Sequence, residues 1–246
     1  MTRLVAAAAA LAATAATPSG AAAALPASLD IAYSFDSGIH LMRPDGSGVV
    51  RLTSPSSAGF DVDDSQPAWS PDGSRLVFVR TAEGWETSES SIYITDGVDE
   101  RPVTPPTDGV LDVAWAPDGR QIAFARVRDE GESYRTEIVV ASIDDGPERV
   151  LVSQRVDDRL AIVSQPAWSP DGTRIAYTRT RLDREYDFRT SLFSVDVAGA
   201  RPQLIARGAG DATWAPDGTR LAAPACAIAT GSRAALTNAA TTASCM

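Results

Sequence analysis

Three positions before each of four tryptophans stands a carboxylate or an amide: Gln66, Asp112, Gln165 and Asp211. Two carboxylates held together can divide acid and base roles, as in the cleavage of a glycosidic bond. Two carboxylates with two amides can also hold a cation or a basic side chain. A second acidic group, Asp61, Asp63 and Asp64, has the oxygen ligands that Ca²⁺ requires. It lacks the full spacing of an EF-hand loop, and a solvated acidic link is the alternative reading. Asp157 and Asp158 hold a similar place further along.

Nucleophilic catalysis is poorly served. A Ser or Cys nucleophile needs a nearby base, usually His. The chain has one His, His40, at a position that is Tyr93, Val139 or Phe193 in other repeats, so it reads as a packing residue. There is no Gly-x-Ser-x-Gly elbow, no Cys/His metal spacing, no Gly-x-Gly-x-x-Gly and no P-loop. No cofactor is expected.

The elements that would position these residues are repeated. The phrase Trp-Ser/Ala-Pro-Asp-Gly occurs four times, with Trp69, Trp115, Trp168 and Trp214 spaced 46, 53 and 46 residues apart. A period near 45 with one Trp and one turn per copy marks a repeat architecture. Pro presets its φ, Asp bonds nearby backbone, and Gly takes the positive φ that closes a hairpin. Short runs such as Leu76–Val79, Ile122–Ala125 and Ile175–Thr178 follow each turn and read as strands. A third strand and a more polar fourth strand complete each unit. Four antiparallel strands per repeat describe an all-β fold, a β-propeller blade, with the four tryptophans as structural wedges.

The phrase resembles the WD40-like PD40 repeat of the TolB-like propeller family, over roughly residues 30–223. That resemblance implies a propeller. It also implies a protein partner, part of an envelope complex. The same repeat occurs in propeller domains of prolyl-oligopeptidase-type peptidases, so the repeat alone does not fix a function.

Blade parts are expected at residues 30–53, 66–104, 112–152, 165–206 and 211–223. The first lacks a Trp strand, and the last has Ala223 where the others have an aromatic. Strand 211–215 is expected to complete the blade begun at residue 30, giving four blades and a closed ring. A truncated fifth blade or an open arc are the alternatives.

If the ring forms, one face carries only tight turns. The other carries long loops, 81–91, 127–136 and 180–190, joined by links 54–65 and 153–164. The loop face is expected to gather Trp85, Tyr134, Tyr186 and Phe188 with Arg135 and Arg184 among acids, a composition suited to a protein or sugar contact. Gln66, Asp112, Gln165 and Asp211 are expected to begin the innermost strands and ring the channel mouth.

Residues 1–24 read as a secretory signal: Arg3, an apolar run and Ala22–Ala24, which places the rest outside the cytoplasm. The apolar run is too short for a stable membrane span after cleavage. The propeller domain is then 25–223, followed by an Ala/Thr-rich flexible tail, 224–246. Cys226 and Cys245 both fall in that tail, where export permits a disulfide. With 22 basic and 32 acidic residues the net charge is −10, which disfavours nucleic acid as a partner. The leading expectation is an exported, non-enzymatic scaffold that binds protein through its loop face. Two alternatives are a small carbohydrate-active hydrolase or lyase using the channel-mouth carboxylates, and a truncated propeller without independent function.

Overall fold

A computed structural model describes residue 25 and residues 31–55, 61–84, 88–144, 146–156, 160–182, 187–199 and 201–224. The expected signal, the tail beyond Pro224 and both cysteines lie outside the described residues. Among those described there is no helix, and so none long and apolar enough to cross a membrane.

Strands come in consecutive antiparallel groups, each a blade. Blade 1 holds β1 (Ile31–Phe35), β2 (Gly38–Met42) and β3 (Val50–Arg51). Blade 2 holds β4 (Asp61–Trp69), β5 (Leu76–Glu83), β6 (Ser88–Thr95) and β7 (Glu100–Pro102). Blade 3 holds β8 (Gly109–Trp115), β9 (Gln121–Asp129), β10 (Tyr134–Ser142) and β11 (Arg149–Val156). Blade 4 holds β12 (Ile162–Trp168), β13 (Arg174–Leu182), β14 (Phe188–Asp196) and β15 (Gln203–Arg207). Blade 5 is the hairpin of β16 (Thr213–Trp214) and β17 (Leu221–Ala222). Each strand pairs with its sequence neighbour, as in a meander.

The core lies between blades. Val77, Val79, Ile92 and Ile94 of blade 2 pack on Ile122, Phe124 and Val139 of blade 3. The other side of blade 3, with Ala123, Ala125, Ile138 and Val140, packs on Ile175, Tyr177 and Phe193 of blade 4. Strands covered on both faces explain why apolar runs replace alternation. Phe78 and Phe124 are fully buried, and each such side chain contributes about 1.5–3 kcal/mol.

The repeated phrase sets how one blade meets the next. Asp72 Oδ1 accepts from Ser70 Oγ at 2.7 Å and the Ser74 amide at 3.0 Å. Those bonds, the Ser70 hydroxyl first, hold Asp72 down to about 2, and Ser169 does the same for Asp171. This stabilisation is present above the ordinary Asp value of 3.8 and is lost as pH falls through 2. Between blades, the Trp115 indole N–H donates to the Ala68 carbonyl at 2.9 Å. The Arg75 guanidinium lies 5.4 Å over the Trp115 ring and donates to the Gly119 carbonyl at 3.0 Å. Blades 4 and 5 repeat this clamp. Trp214 donates to Ala167 at 3.1 Å, and Arg174 stacks on Trp214 at 4.7 Å. Between blades 3 and 4 the clamp is absent. Gln121 stands where the others have Arg, and the buried Trp168 indole N–H has no partner among the described residues.

Two expectations about layout are corrected. Strand 211–215 does not complete the blade begun at residue 30; β16 pairs with β17, Trp214 opposite Leu221. Among the described residues no ladder joins β16 or β17 to β1, so the arrangement is open. A hairpin with six residues between its strands costs less chain entropy than joining segments about 180 residues apart. The loops at 81–91, 127–136 and 180–190 are also mostly strand. The ladders run out to Glu83 opposite Ser88, Asp129 opposite Tyr134 and Leu182 opposite Phe188. Polar residues there belong to ribbons that project beyond the core, which is why they read as loop.

Gln121→Arg should supply the missing clamp over Trp168. A gain of about 0.5–1 kcal/mol is expected from urea unfolding, the worth of one cation–π contact; no gain would show that the clamp is decorative.

Candidate functional site

Gln66, Asp112, Gln165 and Asp211 do not begin the inner strands. The first three lie inside β4, β8 and β12, and the strands kink at them. The ladders slip between Ser65 and Ala68, Val110 and Asp112, and Ser164 and Ala167. Gln66, Gln165 and Asp211 adopt left-handed φ of 52°, 53° and 49°. Non-glycine residues hold that conformation at a cost of about 1–2 kcal/mol. A bulge of this kind re-aims a side chain. Here it turns the polar groups onto the neighbouring blade. Gln66 Nε2 donates to the Leu111 carbonyl. Asp112 Oδ2 accepts the Gln165 amide at 3.0 Å. The Asp211 amide donates to Thr178 Oγ1 at 2.8 Å.

The ring is therefore partly consumed in joining blades. Asp112 keeps chemical interest. Burial pushes its carboxyl up, the Gln165 amide opposes this, and the charge of Asp211 adds to the rise.

Asp61, Asp63 and Asp64 lie in β4 rather than in a link, opposite Glu83, Thr81 and Arg80. Alternation sends Asp64 to the other side from Asp61 and Asp63. Asp64 is fully buried and takes both Arg80 nitrogens, at 2.6 and 2.7 Å. Arg80 also reaches Glu100 at 2.9 Å and lies 4.5 Å from the Tyr93 ring centre. Burial works against its charge, but the two carboxylates outweigh burial and raise its pKa. Among the described residues no group of three acids or histidines is placed to hold a metal ion. The sequence reading missed this arginine. Its signal is an aromatic-x-Arg pattern that recurs as Phe78/Arg80, Phe124/Arg126 and Tyr177/Arg179. In blade 3, Arg126 pairs with Glu137 at 3.0 Å and Glu148 at 2.5 Å.

At the projecting hairpin ends, Tyr134 is 52 % and Phe188 59 % exposed. Arg135 pairs with Glu130 at 2.7 Å beside Tyr134. Trp85, Tyr186 and Arg184 lie outside the described residues. Phe35, at the corresponding hairpin of blade 1, is 66 % exposed and is an aromatic the sequence reading passed over. His40 is buried, stacked 5.6 Å from Tyr33, as a packing residue would be.

No protein-family profile matches the chain. Over 73 residues it is 40 % identical to the Tol-Pal system protein TolB of Rhizorhabdus wittichii, a match covering 29 % of this chain and 15 % of that protein. Its fold is similar to TolB from Acinetobacter baumannii, with a TM-score of 0.54 and 18 % identity, over 78 % of this chain and 46 % of that one. It is also similar to a manganese-bound oligogalacturonate lyase, with a TM-score of 0.56 and 11 % identity, over 76 % and 53 %. The fold is a β-propeller. Over the 73 matched residues its repeat resembles that of TolB. The chain spans about half the length of these structures and less of the curated relative.

The carboxylates should separate by substitution. Asp112→Asn keeps an acceptor for Gln165 and removes a charge that burial opposes. Its melting temperature at pH 7 should not fall below the parent's, and any gap should close as pH drops toward 3.8. Asp64→Asn leaves Arg80 half-neutralised and should cost about 3–5 kcal/mol in urea unfolding.

Proposed function

We propose that this propeller is an extracytoplasmic protein-binding scaffold that engages its partner through the projecting hairpins. The observation that carries this reading is the exposure of Phe35, Tyr134 and Phe188 at corresponding hairpin ends of three blades. Exposed aromatics beside charged residues are what interface hot spots are made of. The export-signal composition of residues 1–24 supports a location outside the cytoplasm. The local identity to TolB, a protein of the Tol-Pal system, supports a partner in the cell envelope.

A second reading rests on Asp112 and Asp211. A carboxyl raised by burial and by the charge of a second carboxylate is suited to acid and base work on sugars. The fold similarity to an oligogalacturonate lyase favours an acidic polysaccharide as the substrate to try.

Capture from envelope extract tests the first reading. Tyr134→Ser combined with Phe188→Ser should lose most of any partner held by the parent, about tenfold or more for one aromatic hot spot. Retention of every partner at parental levels sinks the hairpin surface. Turnover of oligogalacturonate that vanishes in Asp112→Asn would replace it with the enzymatic reading.

A further inference from the structure

The aromatic-x-Arg position differs in one blade. In blade 2, Arg80 is satisfied by Asp64 and Glu100, and in blade 3, Arg126 is satisfied by Glu137 and Glu148. In blade 4 each of those acids is gone. By ladder register Ser191 faces Arg179 where Glu137 faces Arg126. Counting from the same bulges, Val163 replaces Asp64, and Pro202 replaces Glu100 and Glu148.

Arg179 is nevertheless kept. Its guanidinium lies 4.2 Å from the Phe193 ring centre, and its buried Nε has no hydrogen-bond partner among the described residues. Two further cations share its side of the sheet. Arg181 is two residues along β13, and Arg207 lies across Ser191 in the same cross-strand row. Neither makes an ion pair among the described residues. Burial first, then the charges of Arg181 and Arg207, lower the pKa of Arg179. The side chain as a whole is half-buried, but its enclosed Nε is a donor left unsatisfied, which costs about 1–3 kcal/mol. Its nearest charges make this worse.

We propose that Arg179, Arg181 and Arg207 form a docking site for a carboxylate presented by an acidic segment of a protein partner. The partner's carboxylate takes the place that Asp64 and Glu137 fill from within the chain in the other blades. Asp64 shows the geometry, with two guanidinium nitrogens on one carboxylate. The chain is acidic overall, so the site is a local positive spot that selects where an acidic segment lands. This deepens the scaffold reading and rests on it for the partner, yet it uses different residues from the hairpin tips.

The test titrates the purified chain with a fluorescent tetraglutamate peptide at low salt, with tetralysine as the charge control and inorganic phosphate as competitor. The parent should bind tetraglutamate and ignore tetralysine. Arg179→Gln should weaken binding by at least about tenfold, the worth of one charge-assisted hydrogen bond. Arg220→Gln, remote in blade 5, removes the same charge and should bind as the parent does. Ser191→Glu rebuilds the Glu137 arrangement internally; it should raise the melting temperature and also abolish binding. Unchanged affinity in Arg179→Gln or Ser191→Glu overturns the site. Phosphate binding tighter than the peptide overturns the carboxylate assignment. The titration needs no hairpin aromatic, so its failure is distinct from failure of the capture experiment.

Discussion

The contact between consecutive Trp-Ser/Ala-Pro-Asp-Gly phrases is the constraint on which the arrangement of blades depends. Three of the four glycines of the phrase sit against the proline of the preceding copy, Gly119 near Pro71, Gly172 near Pro117 and Gly218 near Pro170. A side chain there would face proline while strained by a φ of 65° to 70°. The indole and arginine clamps add about 1 kcal/mol each, whereas the buried apolar side chains supply far more in total. Burial therefore holds the blades together, and the directional contacts fix their register. The blade 3 to blade 4 junction shows the division, because it packs an apolar core while lacking the clamp.

Burial between blades also dictates the polar chemistry. A guanidinium placed two residues beyond the core aromatic sits at the margin of the apolar cleft. Blades 2 and 3 solve this with two carboxylates each, drawn from different parts of the same blade. Blade 4 keeps the arginine and drops the acids, which turns a structural ion pair into an open half of one. Similarly, the bulged polar residues of the inner strands spend most of their capacity on the next blade, Gln66 on Leu111 and Asp112 on Gln165. What remains for chemistry is what the joints leave over.

Much of this was legible in the chain. The Pro-Asp-Gly turns, the runs Leu76–Val79, Ile122–Ala125 and Ile175–Thr178, and the packing role of His40 follow from local rules. Three readings failed for a shared reason. The projecting ribbons, the placement of Asp64 and the path of residues 211–223 depend on which strands pair at long range. Polar residues such as Thr81 and Ser90 read as loop, yet their hydroxyls meet at 3.0 Å across the β5–β6 ladder. Asp64 reads as a surface acid because its partner, Arg80, is identified only by register. Phe35 escaped notice because its hairpin is two residues long.

Local chemistry suffices for the repeat and the four-stranded unit, because turn chemistry and strand patterning act over a few residues. Long-range pairing set the rest: the final phrase closes on itself, Gln66 and Asp112 serve as joints, and Arg179 stands without an acid among the described residues. Those outcomes turn on charge pairs, ladder register and loop-closure entropy between residues far apart in the chain, and none of these is written at any single position.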